Sequence, residues 1–448
     1  MEICTVGGFE EVGKNMTAVK VGEDVFLFDA GLYLPGVIEL QDSLEENSYN
    51  EKNLRRVGGI PNDKVLDELG WSSKVRAIFI SHAHLDHIGG APYIAHRYPN
   101  APIFGTPFTM EVLRSLLEDE KLTLPNQMKR VEFKKQYSIP NSNKNIKVEF
   151  IHTTHSTLDC SFVVLHTLEG RFFYALDYKF DDNPTMGELT DYESLKRIGK
   201  QGVKIAIINT LYAGKDASNG TETDADRMLA ETFAKVSKSK GALFITTFSS
   251  HIERINNIVK HAKKTGREIV FLGRSLNKYV YAARNIGKCP FYEDITILKY
   301  KRQVDSFLRQ LEKDPSRYIV VCTGHQGEKN SILDRISKGL TPFQFSQEDN
   351  LIFSSSVIPT EVNIEARSKL DKKLEKQGVH LYKDIHVHGH GSKASKIKLI
   401  QMIKSEHLIP AHGSLEQEQA LIDVAREQGY AYGKTSHLAK NGQVFTFQ

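Results

Sequence analysis

The chain has 448 residues, of which 40% are hydrophobic and 25% charged, with a formal net charge of +4. That balance excludes disordered, collagen-like and fibrous classes, and the length favours two domains over a single core. The mild basicity falls short of the footprint of a dedicated nucleic-acid-binding domain, so any such reading has to come from a site. Cys4, Cys160, Cys289 and Cys322 lie far apart and form no CxxC pair, the pattern of a reduced compartment. No basic leader precedes an apolar stretch, and no run approaches the roughly eighteen apolar residues of a membrane span. A cytoplasmic address without a membrane partner is expected.

Taken in order, Asp24–Phe28 is a short β-rich run closed by Asp29-Ala30-Gly31. Residues 35–62 are polar, show little periodicity and read as a surface insertion. The apolar run 75–81 stops at a cluster of histidines, and 148–151, 161–165 and 172–176 are further strands that end in polar residues or turns. From about residue 203 the rhythm becomes strand–helix alternation. Strands are expected at 203–208, 243–247, 269–272, 318–322 and 351–353, with helical patterns at 254–263 and 304–311. Such alternation predicts a parallel sheet flanked by helices. The tail resumes with a strand at 385–388, a helix at 393–404, a strand near Leu408 and another helix. The charge runs 260–264 and 369–376 are explained by solvated helix faces.

The run Ser81-His82-Ala83-His84-Leu85-Asp86-His87-Ile88-Gly89-Gly90 packs four metal-ligand side chains into six residues, at the end of an apolar strand. Imidazole nitrogens and carboxylate oxygens suit zinc and its neighbours, and a pair of such ions clamps an in-line hydrolysis. In an extended HxH, His82 and His84 face the same way and can share one ion, which leaves Asp86 and His87 for a second. An incidental polar loop explains a lone histidine better than it explains this density.

Residues 80–90 resemble the signature of the metallo-β-lactamase superfamily. By that resemblance Asp29 is the early strand-end aspartate, His155 in Thr153-Thr154-His155-Ser156 the single later histidine, and Asp177 in Leu176-Asp177-Tyr178 the bridging aspartate. His152 competes with His155 but lies within a strand. The strand–helix stretch resembles the inserted α/β domain of β-CASP nucleases, and the late histidines fit His390 in His388-Gly389-His390-Gly391 and His412 in Pro410-Ala411-His412-Gly413. Within that group the chain resembles the RNase J family, in its shorter archaeal form. The segments that carry this are 7–16, Thr323-Gly324-His325-Gln326-Gly327-Glu328 and Ser354-Ser355-Ser356-Val357-Ile358-Pro359.

The resemblance implies a metallo-β-lactamase αββα sandwich, formed by residues 1–200 and 366–448, with a β-CASP domain at 201–365. It implies two zinc ions per chain, one on His82, His84 and His155 and the other on Asp86, His87 and His412, with Asp177 bridging. Asp86 and His390 are then the catalytic residues, His390 acting on the leaving oxygen, and Asp29 orients a ligand histidine from behind. The loop Gly324, His325, Gln326 and Gly327, with Ser355 and His390, is expected to hold RNA and its 5′ phosphate, the loop acting as a nest of backbone amides, and Phe248 is a candidate to stack a base. The expected activity is 5′-to-3′ hydrolysis of single-stranded RNA by a homodimer, favouring 5′-monophosphate ends. An endoribonuclease of the mRNA 3′-end-processing type and a catalytically silent RNA-binding homologue are the alternatives. In two places the sequence departs from the family: His325 stands where serine is usual, and Asn209 where an acid usually ends the strand. Glu222 and Asp216 are near enough in sequence to replace that acid.

Overall fold

The computed structural model describes residues 1–43, 50–216, 220–358 and 360–448; Pro359 and residues 44–49 of the polar insertion lie outside this description. Two compact units emerge, one from Met1–Phe180, Glu188–Asn219 and Gly389–Gln448, the other from Asp181–Gly187 and Gly220–His388.

The first unit opens with β1 (Glu2–Gly7), β2 (Met16–Val21), β3 (Asp24–Phe28), β4 (Val75–Phe79), β5 (Ile103–Gly105) and β6 (Met128–Arg130). These neighbour one another in that order in the first sheet. A second sheet follows from β7 (Gln136–Ser138), β8 (Lys147–His152), β9 (Ser161–Thr167), β10 (Gly170–Ala175) and β11 (Ile205–Asn209). β3 shows why these runs are apolar throughout. Phe26 and Phe28 enter the core between the sheets, where Phe28 meets Phe172 and Tyr174 of β10 with ring centroids 4.8 and 5.3 Å apart. Val25 and Leu27 are buried on the opposite face, as expected for a strand covered on both sides. Behind the second sheet, Phe162, Phe173, Ala206 and Ile208 pack with Leu195, Leu399, Ile403 and Leu421 of the helices Tyr192–Lys200, Lys393–Ile403 and Leu415–Glu427.

The second unit is a parallel sheet of β12 (Leu243–Thr246), β13 (Glu268–Leu272), β14 (Ile295–Leu298), β15 (Tyr318–Cys322), β16 (Asn350–Phe353) and β17 (His380–Tyr382). Their spatial order is β14-β13-β15-β12-β16-β17, with helices in the connections. The chain then returns to the first unit with β18 (His407–Ala411), which pairs with β11, and β19 (Gln443–Thr446), which pairs with β1. The mixed α/β sandwich with a parallel α/β unit is the fold class read from the sequence.

Several details differ from the expectation. The run at 203–208, read as the first strand of the inserted stretch, is β11, paired with β10 and β18 in the first unit. The helix Glu361–Lys376, most of it beyond the expected limit of 365, belongs to the second unit. No strand forms at 385–388, because Asp384 takes a left-handed φ of 61° and breaks the extended chain after β17. Part of the polar insertion is helical, at Leu34–Ser43 and Glu51–Arg56. No described helix is long and apolar enough to cross a membrane.

Candidate active site

Strand ends of the first unit deliver the polar residues. β3 runs into Asp29, β4 into Ser81 and His82, β8 into His155, β10 into Asp177, β11 ends on Asn209, and β18 runs into His412. Asp86 and His87 ride the single helical turn Leu85–Ile88, with His84 at its N-cap. That turn lies against Gly31, where any Cβ would run into the Asp86 carbonyl.

Two groups of ligand atoms result, each within 4.8 Å of one another: His82, His84, His155 and Asp177, and Asp86, His87, His412 and Asp177. Asp177 belongs to both. Its Oδ2 lies 3.5 Å from His82 Nε2, 3.4 Å from His87 Nε2 and 3.2 Å from His155 Nε2. His412 Nε2 lies 3.7 Å from Asp177 Oδ1 and 3.6 Å from Asp86 Oδ2. The division between the groups is the one expected for the HxHxDH segment.

The far side of these rings is held by the protein. Asp29, wholly buried with φ 59°, accepts from His87 Nδ1 at 2.7 Å and from the Ser81 N–H and Oγ at 2.8 and 2.9 Å. His155 Nδ1 donates to the Gly389 carbonyl at 2.6 Å. Asn15 Nδ2 donates to the Asp86 carbonyl at 2.9 Å, and the same amide meets His412 Nδ1, with Nδ2 at 2.8 Å and Oδ1 at 3.0 Å. With the Nδ1 protons of His87 and His155 directed outwards in this way, Nε2 of each ring, like Nε2 of His412, faces the shared carboxylate.

Electrostatics point to a cation. Burial, reinforced by the neighbouring imidazoles, holds His82 and His84 well below the ordinary histidine range, so both are neutral. Burial also lowers His87, but the carboxylates of Asp177, Asp86 and Asp29 outweigh it and keep that ring well above the ordinary range. Asp177 is buried yet held well below the carboxylate range by His390, His87 and His412. His82 Nε2 is buried and has no hydrogen-bond partner among the described residues. An orphaned lone pair aimed at a carboxylate, within a set of nitrogen and oxygen donors, fits a divalent metal. His390 stands beside the groups, its Nδ1 3.7 Å from Asp177 Oδ1 and its ring centroid 5.0 Å from that of His155. Burial holds its imidazole well below the ordinary range. His152 stays outside the cluster, its Nε2 bonded to the Glu188 carbonyl at 3.0 Å.

The second unit contains the remaining expected residues. Gly324 has φ 119°, and a Cβ there would press on Leu333 and Ser331. Two amides of its loop are committed within the loop, where an open anion nest was expected. The Gln326 N–H donates to Glu328 Oε2 at 2.9 Å and the Gly327 N–H to the Gly324 carbonyl at 3.1 Å. The Gln326 side chain ties down the following segment, donating to the Ser356 carbonyl at 2.8 Å and accepting from the Ile358 N–H at 2.9 Å. His325 is buried against Phe248, the ring centroids 4.4 Å apart, and burial pushes it down to about 3. Both His325 ring nitrogens and Ser355 Oγ are buried without a hydrogen-bond partner among the described residues. Glu222 does not replace the missing acid: it is paired with Arg254 at 2.5 and 3.0 Å within the second unit, and Asp216 is exposed.

Residues 66–195 match the family described as "Beta-lactamase superfamily domain", and residues 240–370 match "Ribonuclease J, beta-CASP domain". Ribonuclease J of Pyrococcus abyssi is 36% identical over 445 residues, covering 99% of this chain and 96% of that protein. The chain belongs to the ribonuclease J family. Ribonuclease J of Methanocaldococcus jannaschii is also 36% identical, over 450 residues, with 100% of this chain and 99% of that protein covered. Ribonuclease J 1 of Streptococcus pyogenes is 27% identical over 99% of this chain and 73% of its own length. A crystal structure of a protein of unknown function from Enterococcus faecalis V583 shares the fold at a TM-score of 0.65 with 15% identity, over 99% of each chain.

In this ribonuclease J-type cluster several supporting groups escaped the sequence reading. Asn15 was visible only as part of a family segment, and Ser81 as the residue before the motif. The Gly389 carbonyl carries no side-chain signal at all. Asn209 donates from Nδ2 to Asp177 Oδ1 at 2.8 Å, so the departure from the acid is a direct partner of the shared carboxylate.

Proposed function

We propose that the protein is a 5′-to-3′ exoribonuclease that hydrolyses single-stranded RNA with two zinc ions and favours 5′-monophosphate ends. The observation that carries this reading is a pair of ligand groups sharing Asp177, with His390 beside the shared carboxylate. The names of the archaeal and streptococcal relatives support RNA as the substrate. His82, His84 and His155 would hold one ion, Asp86, His87 and His412 the other, and Asp177 both; nitrogen and oxygen donors of this kind suit zinc. When bound, such a pair polarises a phosphoryl oxygen and eases the ionisation of water near neutral pH.

The protein's own groups do the rest. Asp29 and Gly389 hold His87 and His155 in one tautomer and one orientation, and the Asn15 amide orients His412. His390 supplies a proton to the departing 3′ oxygen as the P–O bond breaks and water oxygen bonds to phosphorus, leaving a fresh 5′ phosphate on the shortened chain. The His325 ring and the Ser355 hydroxyl, whose polar atoms are unspent, are the groups proposed to meet the terminal 5′ phosphate, with Gly324, Gln326 and Gly327 shaping the loop. A homodimeric, cytoplasmic protein belongs to the same reading, checked by light scattering and cell fractionation.

The deciding experiment is digestion of RNAs that carry a 5′ monophosphate, triphosphate or hydroxyl, with products resolved by size. Mononucleotides released chiefly from the monophosphorylated RNA are expected; internal fragments indifferent to the 5′ group would replace this reading with an endonuclease. His390→Ala should lose roughly 10²–10⁴-fold in kcat while retaining its metal.

A further inference from the structure

One strongly polar residue beside the cluster has no part in this chemistry. Lys396, on the helix Lys393–Ile403, is completely buried. Among the described residues no carboxylate lies within ion-pair distance of its Nζ, a costly placement for a lysine. Burial pushes its pKa down to about 7, with Asp177 pulling the other way. Charged or neutral, Nζ remains a hydrogen-bond donor. It contacts Asn209 Oδ1 at 3.3 Å and sits 4.4 Å from the centroid of the Tyr178 ring.

Asn209 is the residue that departs from the family's acid, and its partners dictate which end of the amide is which. Oδ1 meets two groups that donate here, the Leu211 N–H at 2.7 Å and Lys396 Nζ. The other end meets the Asp177 carboxylate at 2.8 Å, which only accepts. Nδ2 therefore points at Asp177, and it also lies 3.5 Å from His390 Nδ1, a nitrogen 3.7 Å from Asp177 Oδ1. An imidazole that accepts at Nδ1 carries its proton on Nε2. An acid in this position would do the reverse, accepting from Nδ1–H.

We infer that Lys396 is a positioning residue: it secures and polarises the Asn209 amide, which in turn holds His390 with Nδ1 as acceptor and the proton on Nε2. A chain of donors aligned head to tail strengthens each link, so the lysine reaches the imidazole without touching it. The consequence for catalysis rests on the proton-donating role proposed for His390.

The test is a double-mutant cycle on the full-length, metal-loaded protein with Lys396→Met, Asn209→Ala and the pair, recording kcat, KM and bound metal. Lys396→Met is expected to lower kcat roughly tenfold with KM and metal content unchanged, a coupling of ordinary size for neighbours in one network. In the Asn209→Ala background the same change should do nothing further. Additive losses, or a loss that tracks departing metal, overturn the inference while leaving the nuclease reading intact. Lys396→Gln, which restores a donor, should recover part of kcat and covers the case in which the methionine variant fails to fold; a glutamine variant no better than methionine counts against the inference. A protein that cleaves no RNA would sink the nuclease reading instead. ¹⁵N-histidine NMR then decides separately, with His390 expected to be protonated at Nε2 in the wild type and mixed in Lys396→Met. Protonation at Nδ1 in the wild type would reject the role.

Discussion

The histidine–aspartate cluster and the Gly324–Glu328 loop are both built just beyond the carboxyl ends of strands, yet they spend their polar groups in opposite ways. In the cluster, Asp29, Asn15, Ser81 and Gly389 satisfy the outer side of the rings and leave the inner nitrogens facing Asp177. In the loop, the Gln326 and Gly327 amides and the Gln326 side chain are used to hold the chain itself together. A strand end becomes a binding site only where polar groups are left over once the backbone has been satisfied. The same thrift appears elsewhere in the second unit, where Glu253 Oε1 accepts from the Thr185 N–H at 2.5 Å, Thr185 Oγ1 at 3.0 Å and the Met186 N–H at 2.9 Å.

This contrast is open to direct attack. The largest effect should come from Asp177→Asn, which removes the carboxylate common to both groups; metal analysis should show loss of bound ion and hydrolysis should fall to background. Full metal content in that variant would break the shared-ligand geometry. Asn15→Ala should cost about 10–100-fold in metal affinity by chelator competition, the usual price of an outer partner, and an unchanged affinity would mean that His412 needs no such support. Glu253 offers a test by pH. Burial and the nearby Glu222 raise it from 4.5 to about 7, so the folded chain keeps a proton that the unfolded chain gives up. Stability is therefore full below about pH 4.5 and is lost as the pH climbs towards 7, by roughly 3 kcal/mol at the limit. The difference between wild-type and Glu253→Gln urea midpoints should follow that slope, and a flat difference would refute it. The smallest effect is expected of Gln326→Ala, about 1–2 kcal/mol of stability from two lost hydrogen bonds. If it instead abolished RNA cleavage with stability intact, Gln326 would itself meet the substrate rather than hold the chain, and the contrast would fail.

These outcomes bear on how much the sequence could reveal. β3 and β15 fell on their expected residues, 24–28 and 318–322, because strands buried on both faces are uninterrupted apolar runs bounded by polar turns. β5, β6 and β7, each of three residues, leave too little pattern to detect. Ile205–Asn209 was legible as a strand, but its partners were not, since pairing with β18 is a long-range choice. The six residues grouped around Asp177 were visible because ligand chemistry restricts residue type at each position. Asn15 and Lys396 were invisible as site residues for the opposite reason. Each acts through hydrogen bonds to residues far along the chain, up to 397 positions away for Asn15 and 187 for Lys396.

The pairing of β18 with β11 also imposes an order in time. His412 enters the cluster only when the strand that carries it has left the ribosome and added itself to the edge of a sheet whose other members were made some 200 residues earlier. Until then the nascent chain lacks one member of the group formed with Asp86, His87 and Asp177. The second group of donors therefore stays incomplete until most of the message has been read.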